Sequence, residues 1–329
     1  MNNDLLFIPI LKNKAIAEPN AIKACSKIFS NRIIPYIEII NENAESRGYI
    51  NTKRELGDLV HFEQFYRRKD STLSDIIKKT INNTRTNIIP SLHLLDEKEL
   101  IDNIDITSSF IDTIHNKHSN LSIRIPTFTN FNLLNGLMVL LENEDYLIFD
   151  IDDNDYKSLT LFFNAINRIP KKCKIIIFSN ERPKNSTNKG LADLDYNLSF
   201  NTSVIDSIIS NSFNQDGFGS YCAAKNDLNQ GGSYKYLIYG AFVIYDYDKN
   251  SFFSIKSNTK DHASKAYSQL KSKIKQNRSI IDKLFFKTPI SYNYINKLLD
   301  NENKKGSAAQ YISFSIIHYI EEIYNNLFI

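Results

Sequence analysis

Four short segments each carry a proline inside a run of aliphatic residues: FIPILK around Pro9, RIIPYIEI around Pro35, NIIPSLH around Pro90 and SIRIPTFT around Pro126. Proline has no N–H to give to a sheet ladder, so an ordinary central strand excludes it. A chain that repeats the arrangement four times is building a repeated unit. Strands are expected at 6–12, 33–40, 87–94, 121–127, 146–151 and 173–179, with helical patterns between them at 18–30, 53–82, 98–118, 130–143 and 156–168. Asn130 is placed to cap the fourth of these helices. Strand–helix alternation of this kind implies a parallel sheet with right-handed crossovers.

Such a sheet is either doubly wound or closed into a (β/α)₈ barrel. No GxGxxG or Walker-type glycine loop follows the first strand, which removes the simplest nucleotide-binding sheet and favours the barrel. The expected fold is therefore a TIM-like α/β barrel with irregularities. Residues 1–200 form its core. Residues 201–329 complete it in the same structural domain, with a hairpin over 236–257 that turns at 248–250, and helices at 260–283, 290–300 and 308–325.

Side chains alternate across a strand, so residues two apart share a face. With the four segments aligned on proline, one face holds the prolines with Leu11, Ile37, Leu92 and Phe128 and suits packing against helices. The other runs from Ile8, Ile34, Ile89 and Ile125, through Ile10, Tyr36, Ser91 and Thr127, to Lys12, Glu38, His93 and Thr129. A gradient from apolar to polar along the strand direction is what a barrel interior shows toward its C-terminal mouth. Asp150 and Asp152 of YLIFDIDD and Ser179 of KIIIFSN extend the polar rim.

Several chemistries fit that rim. Lys12, Glu38 and His93 are the candidate catalytic set, with His93 as general acid or base and Lys12 stabilising developing charge. Lys14, Thr129, Ser179 and Tyr221 are candidate ligand contacts. Asp150 and Asp152, joined by Glu38, are hard oxygen donors suited to Mg²⁺ or Mn²⁺, which points to a metal-assisted phosphoesterase or nuclease as one alternative. The plainer alternative is a buried salt-bridge network, such as Lys12 with Glu38 or Asp150, that fills the barrel. No GxSxG, HExxH or CxxC motif is present.

Nine Lys or Arg against two Asp between residues 255 and 287 make the most basic stretch, and Lys265, Lys271, Lys275 and Arg278 are candidates for gripping nucleic acid. The net charge of +3 over 329 residues does not by itself imply such a partner. Three widely spaced cysteines, Cys25, Cys173 and Cys222, fit a reducing compartment better than a disulfide framework. MNNDLLFIPILK lacks the basic and long apolar regions of a signal peptide, and no apolar run reaches the ~18 residues of a membrane span. A cytoplasmic protein without a membrane partner is expected.

The opening FIPILKNK followed by IIPYIEI resembles the start of the beta family proteins of phage and bacterial genomes, which begin with a Pro-x-Leu-Lys-x-Lys strand and then a Pro-x-Ile-Glu strand. Pro9, Leu11, Lys12 and Lys14 match the first motif, and Pro35, Ile37 and Glu38 the second. DGFGSY at 216–221 and the later GGSYKYLIYGAFVIYD also look like that family's Phe-Gly-Asp-Tyr segment and hairpin, with Ser220 standing where the family carries Asp. The resemblance implies a barrel-like α/β fold. It also implies a setting in mobile elements or anti-phage loci, in some relatives beside a nuclease-like gene whose product is a candidate partner. It implies no reaction. The expected function is thus a defence-system component that binds a phosphorylated ligand, a nucleic acid or a partner protein at its mouth. A non-catalytic scaffold that docks a protein through the aromatic segment 236–253 is the third alternative.

Overall fold

In the computed structural model, which describes residues 4–67, 71–83, 85–127, 130–170, 172–224 and 237–329, every residue of β1 (Leu6–Lys12) is buried. Only a strand covered on both faces is sealed in this way. Eight parallel strands close a barrel in the order β1, β2 (Tyr36–Ile39), β3 (His61–Phe65), β4 (Ile88–His93), β5 (Ser122–Pro126), β6 (Tyr146–Asp152), β7 (Lys174–Ser179) and β9 (Gly217–Ser220). Connecting them are α1 (Ala17–Cys25), α2 (Arg47–Leu56), α3 (Leu73–Ile81), α4 (Glu97–Asp102), α5 (Ile104–His115), α6 (Phe131–Leu140), a 3₁₀ turn with α7 (Thr160–Ile166), and α8 (Ser203–Ile209). The expected TIM-like α/β barrel is the fold found.

Alternation divides the barrel strands as expected for most of the circle. Leu6, Ile8, Ile10, Ile34, Tyr36, Ile89, Tyr146, Ile148, Ile176 and Phe178 fill the interior, while Phe7, Leu11, Ile37, Leu92, Leu147, Phe149 and Ile177 face the helices. β9 enters through glycine. A Cβ on Gly217 would sit 2.6 Å from Leu6 Cβ, and one on Gly219 would overlap the Phe178 ring. Large inward residues on β1 and β7 therefore exclude side chains from the inward-facing positions of the strand between them.

The structure corrects the sequence expectations in three places. The helix expected over 53–82 is α2 and α3 with a barrel strand between them. That strand, HFEQF, escapes a hydrophobic pattern because His61 and Glu63 lie on its helix side, where Asn83 Nδ2 donates to Glu63 Oε1 at 2.5 Å and His61 Nδ1 meets the Leu59 carbonyl at 2.8 Å. Second, β5 is out of step with the proline alignment. Ile123 and Ile125 belong to the outer core, so Ser122 and Arg124 point inward. A shift of one residue reverses both faces of a strand. Third, the helices expected at 98–118 and 260–283 break at Asn103 and Asn277.

The remaining residues form a second layer. β10 (Ala241–Asp246) and β11 (Ser251–Lys256) make the hairpin, and the short β8 (Asp195–Tyr196) pairs with β11. One side of this sheet packs on α9 (Ala263–Gln276), α10 (Arg278–Leu284) and α11 (Pro289–Asp300). The other side meets α12 (Ala308–Leu327), where the Tyr245 and Tyr319 rings are 4.8 Å apart. Tyr319 also touches Phe7 of β1, with ring centres at 6.1 Å, so α12 takes the place of the helix that would follow the eighth strand. Among the described residues no helix is long and apolar enough to cross a membrane.

Candidate binding site at the barrel mouth

The C-terminal ends of five barrel strands and the residue after β9 converge on one guanidinium. Arg124 Nη1 donates to Glu38 Oε1 at 2.7 Å, and its Nη2 and Nε donate to Asp150 Oδ2 at 2.5 and 3.0 Å. Nη2 also donates to the Tyr221 hydroxyl at 2.9 Å, which in turn donates to Glu38 Oε1 at 3.0 Å. The other oxygen of Glu38 lies 3.5 Å from Lys12 Nζ. Beneath this layer Tyr36 donates to Gln64 Oε1 at 2.5 Å and joins Ser91 Oγ at 2.6 Å. The planar guanidinium rests 5.2 Å from the Phe178 ring centre, and the Lys12 ammonium 4.5 Å from that of Tyr221.

Burial sets the protonation states. It would raise the Glu38 carboxyl, but Lys12, Arg124 and the Tyr221 hydrogen bond overcome it and hold the group at about 2. Burial also lowers the Lys12 ammonium, with Glu38 opposing and Lys14 and Arg124 reinforcing the shift. Arg124 is stabilised as a cation: burial is outweighed by Asp150, Tyr221 and Glu38. His93 pairs in register with Arg124, and burial followed by that positive charge pushes its ring down to about 4. At neutral pH the mouth therefore holds a neutral His93 imidazole beside the Arg124 cation and the ionised Glu38. The ring makes no hydrogen bond among the described residues, which leaves it available as an acceptor.

Lys12, Glu38, Asp150 and Tyr221 thus come together, with His93 alongside on the inward face of β4 and Lys14 just beyond the end of β1. Thr129 lies outside the described residues. Asp152 diverges: after a register shift at the end of β6 its backbone is left-handed (φ 53°), and its carboxylate pairs with Lys184. The proposed Asp150–Asp152 metal pair is therefore split, and Arg124 holds Glu38 and Asp150 from the position a cation would take. Among the described residues no three His, Cys, Asp or Glu side chains are grouped to hold a metal. Ser179 shares the helix-facing parity of Ile177 and does not line the mouth.

The basic stripe is also redistributed. Lys271 is buried and donates to the Asn301 and Lys304 carbonyls at 2.6 and 2.7 Å. Arg278 sits in the next helix and pairs with Asp282 at 2.9 Å. Lys265 and Lys275 are exposed. Four residues on one continuous charged face become two structural contacts and two solvated lysines.

Arg124 is the residue that the proline alignment missed. The available signal was a single charge in SIRIP, where a long cation between two isoleucines must take the face opposite to theirs. Searches against protein-family models, curated proteins and solved structures give no match.

Proposed function

We propose that the chain is a cytoplasmic component of a bacterial anti-phage or mobile-element system, and that its barrel mouth binds a small phosphorylated ligand. The observation that supports the ligand is the sharing of Glu38 by two buried cations, Lys12 and Arg124. A preorganised site with two buried basic side chains beside the Tyr221 hydroxyl suits a phosphate ester better than a cation. The setting is supported by the resemblance of FIPILKNK, IIPYIEI and DGFGSY to the beta family proteins.

Calorimetry with inorganic phosphate, glycerol phosphate and nucleoside monophosphates tests the ligand class. At least one is expected to bind, and Lys12→Met with Lys14→Met should weaken it together. No binding by any of them, or equal binding by the doubly substituted protein, overturns the proposal. For the setting, a host carrying the gene with its native neighbours should resist phage plating, and Arg124→Met should abolish that resistance.

A second role has its own observation. A groove of about 400 Å³ lies beside the hairpin, with Tyr196, Phe253, Ile280 and Leu284 among its walls and the Phe286 ring 85% exposed at its edge. This supports docking of a protein encoded by a neighbouring gene. Copurification from the native host, lost on Phe286→Ala, is the expected outcome.

A further inference from the structure

Glu322 of α12 lines the groove beside the hairpin, and only 5% of its surface is exposed. Its Oε2 accepts from Asn326 Nδ2 at 3.0 Å. Among the described residues Oε1 has no hydrogen-bond partner, and the carboxylate has no ion pair. A buried carboxylate normally has a cation of its own. The lysines around this one are engaged elsewhere or lie in solvent. Lys287 Nζ donates to Asp248 at 2.9 Å, Lys249 lies 4.2 Å from the Tyr196 ring centre, and Lys283 is exposed. Asp246 and Asp248 of the hairpin add negative potential at Glu322. Phe253, Ile280 and Leu284 make the rest of the wall apolar, and the Phe286 ring stands in water at the edge.

We propose that this groove receives a lysine or arginine side chain of a partner protein, with its charge on Glu322 and a neighbouring large apolar side chain against Leu284 and Phe286. The proposal rests on the reading of the groove as a docking surface and adds the chemistry of what docks. Charge complementarity selects the cation. An occupant without one leaves a desolvated carboxylate facing it, whereas an ammonium or guanidinium supplies the missing donor. The Phe286 ring selects a protein over a small amine, because a molecule confined to about 400 Å³ leaves that ring exposed. Ionisation gives the contact a signature. Burial raises the Glu322 carboxyl to about 7, with Asp248 and Asp246 adding to the shift and Lys287 and Asn326 opposing it. A docked cation requires the ionised form, so affinity rises as pH climbs through 7. His318, a turn earlier on α12, is pushed by burial down to about 4, burial raises the Tyr245 and Tyr247 phenols, and Asp248 raises the Lys287 ammonium. Those four groups keep one state over that range.

The experiment is fluorescence anisotropy of the full-length protein with two labelled peptides, one of three Lys-Leu-Phe repeats and one of three Glu-Leu-Phe repeats, from pH 6 to pH 8. The lysine peptide is expected to bind about tenfold more tightly than the glutamate peptide at pH 8, and to lose about fivefold of its affinity by pH 6. Glu322→Gln should remove that pH dependence, and Phe286→Ala should weaken the lysine peptide throughout. Equal binding of the two peptides, an affinity that does not change with pH, or no binding of the lysine peptide overturns the inference. So does competition by phenethylamine at concentrations equal to the peptide, which assigns the groove to a small amine, or a dimer dissolved by Phe286→Ala, which assigns it to a second copy. The pH series uses the unaltered protein and does not depend on a variant folding. Copurification from the native host keeps the two readings apart. A partner lost on Phe286→Ala but retained by Glu322→Gln leaves the docking surface standing and removes the cation. No copurifying partner removes both.

Discussion

Replacing Arg124 by methionine removes one charge from the barrel mouth and leaves two carboxylates facing each other across it. Asp150 loses both of its guanidinium bonds, at 2.5 and 3.0 Å, while Glu38 keeps Lys12 and the Tyr221 hydroxyl. Breaking one side of a buried pair typically destabilises by about 3–5 kcal/mol, because a desolvated charge is left behind. An independent figure comes from Glu38. Its displacement from an ordinary 4.5 to about 2 corresponds to about 3 kcal/mol of favourable interaction. That contribution is fully present above pH 4.5 and is lost as pH falls toward 2. Glu38→Gln should therefore cost a similar amount at neutral pH. The double variant should cost less than the sum of the two, by about 0.5–3 kcal/mol, since the second change removes the group orphaned by the first. Urea unfolding followed by circular dichroism, with the slope unchanged among the four proteins, measures the cycle. A cost below about 1 kcal/mol for Arg124→Met, or strict additivity, would refute the proposal that this pair organises the mouth.

Three further outcomes follow from other parts of the molecule. Glu181 is buried, with one oxygen accepting from Tyr319 at 3.1 Å, and burial raises its carboxyl to about 7; because the native state holds this proton more tightly than the unfolded chain, stability should decline by about 3 kcal/mol as pH rises from 4.5 through 7, and Glu181→Gln should flatten that slope in pH-dependent thermal melts. Gly219→Ala should destabilise by about 1–3 kcal/mol through overlap with the Phe178 ring, and Phe178→Leu should restore part of the lost melting temperature. Lys271→Met leaves the Asn301 and Lys304 carbonyls without their donor, so it should lower the melting temperature by an amount equivalent to about 1–3 kcal/mol, while any salt-sensitive nucleic-acid binding stays unchanged.

Much of the architecture was legible because period-two and period-3.6 patterns are local. Strands β1, β4, β6 and β7, the Asn130 cap of α6, which accepts from Leu133 N–H at 3.2 Å, and the hairpin turn all declare themselves within a few residues. β3 did not. Its helix-side His61 and Glu63 are acceptable only because Asn83 and the Leu59 carbonyl are waiting for them, and neither partner is implied by HFEQF. The last barrel strand, GFGS, carries almost no strand signal. Its glycines are explained by Leu6 and Phe178 on neighbours about 200 and 40 residues away.

The same division holds for the mouth. By itself the sequence determined that Lys12, Glu38 and His93 end inward-facing rows, because alternation along a strand follows from backbone geometry alone. Only the tertiary structure decided what those rows surround. The proline of the fourth segment sits on the opposite face from the other three, so Arg124 turns inward and pairs Glu38 with Asp150, while a register shift sends Asp152 to Lys184. Register between strands is set by the whole closed barrel, through hydrogen bonding to both neighbours and filling of the interior, and no single strand contains that information.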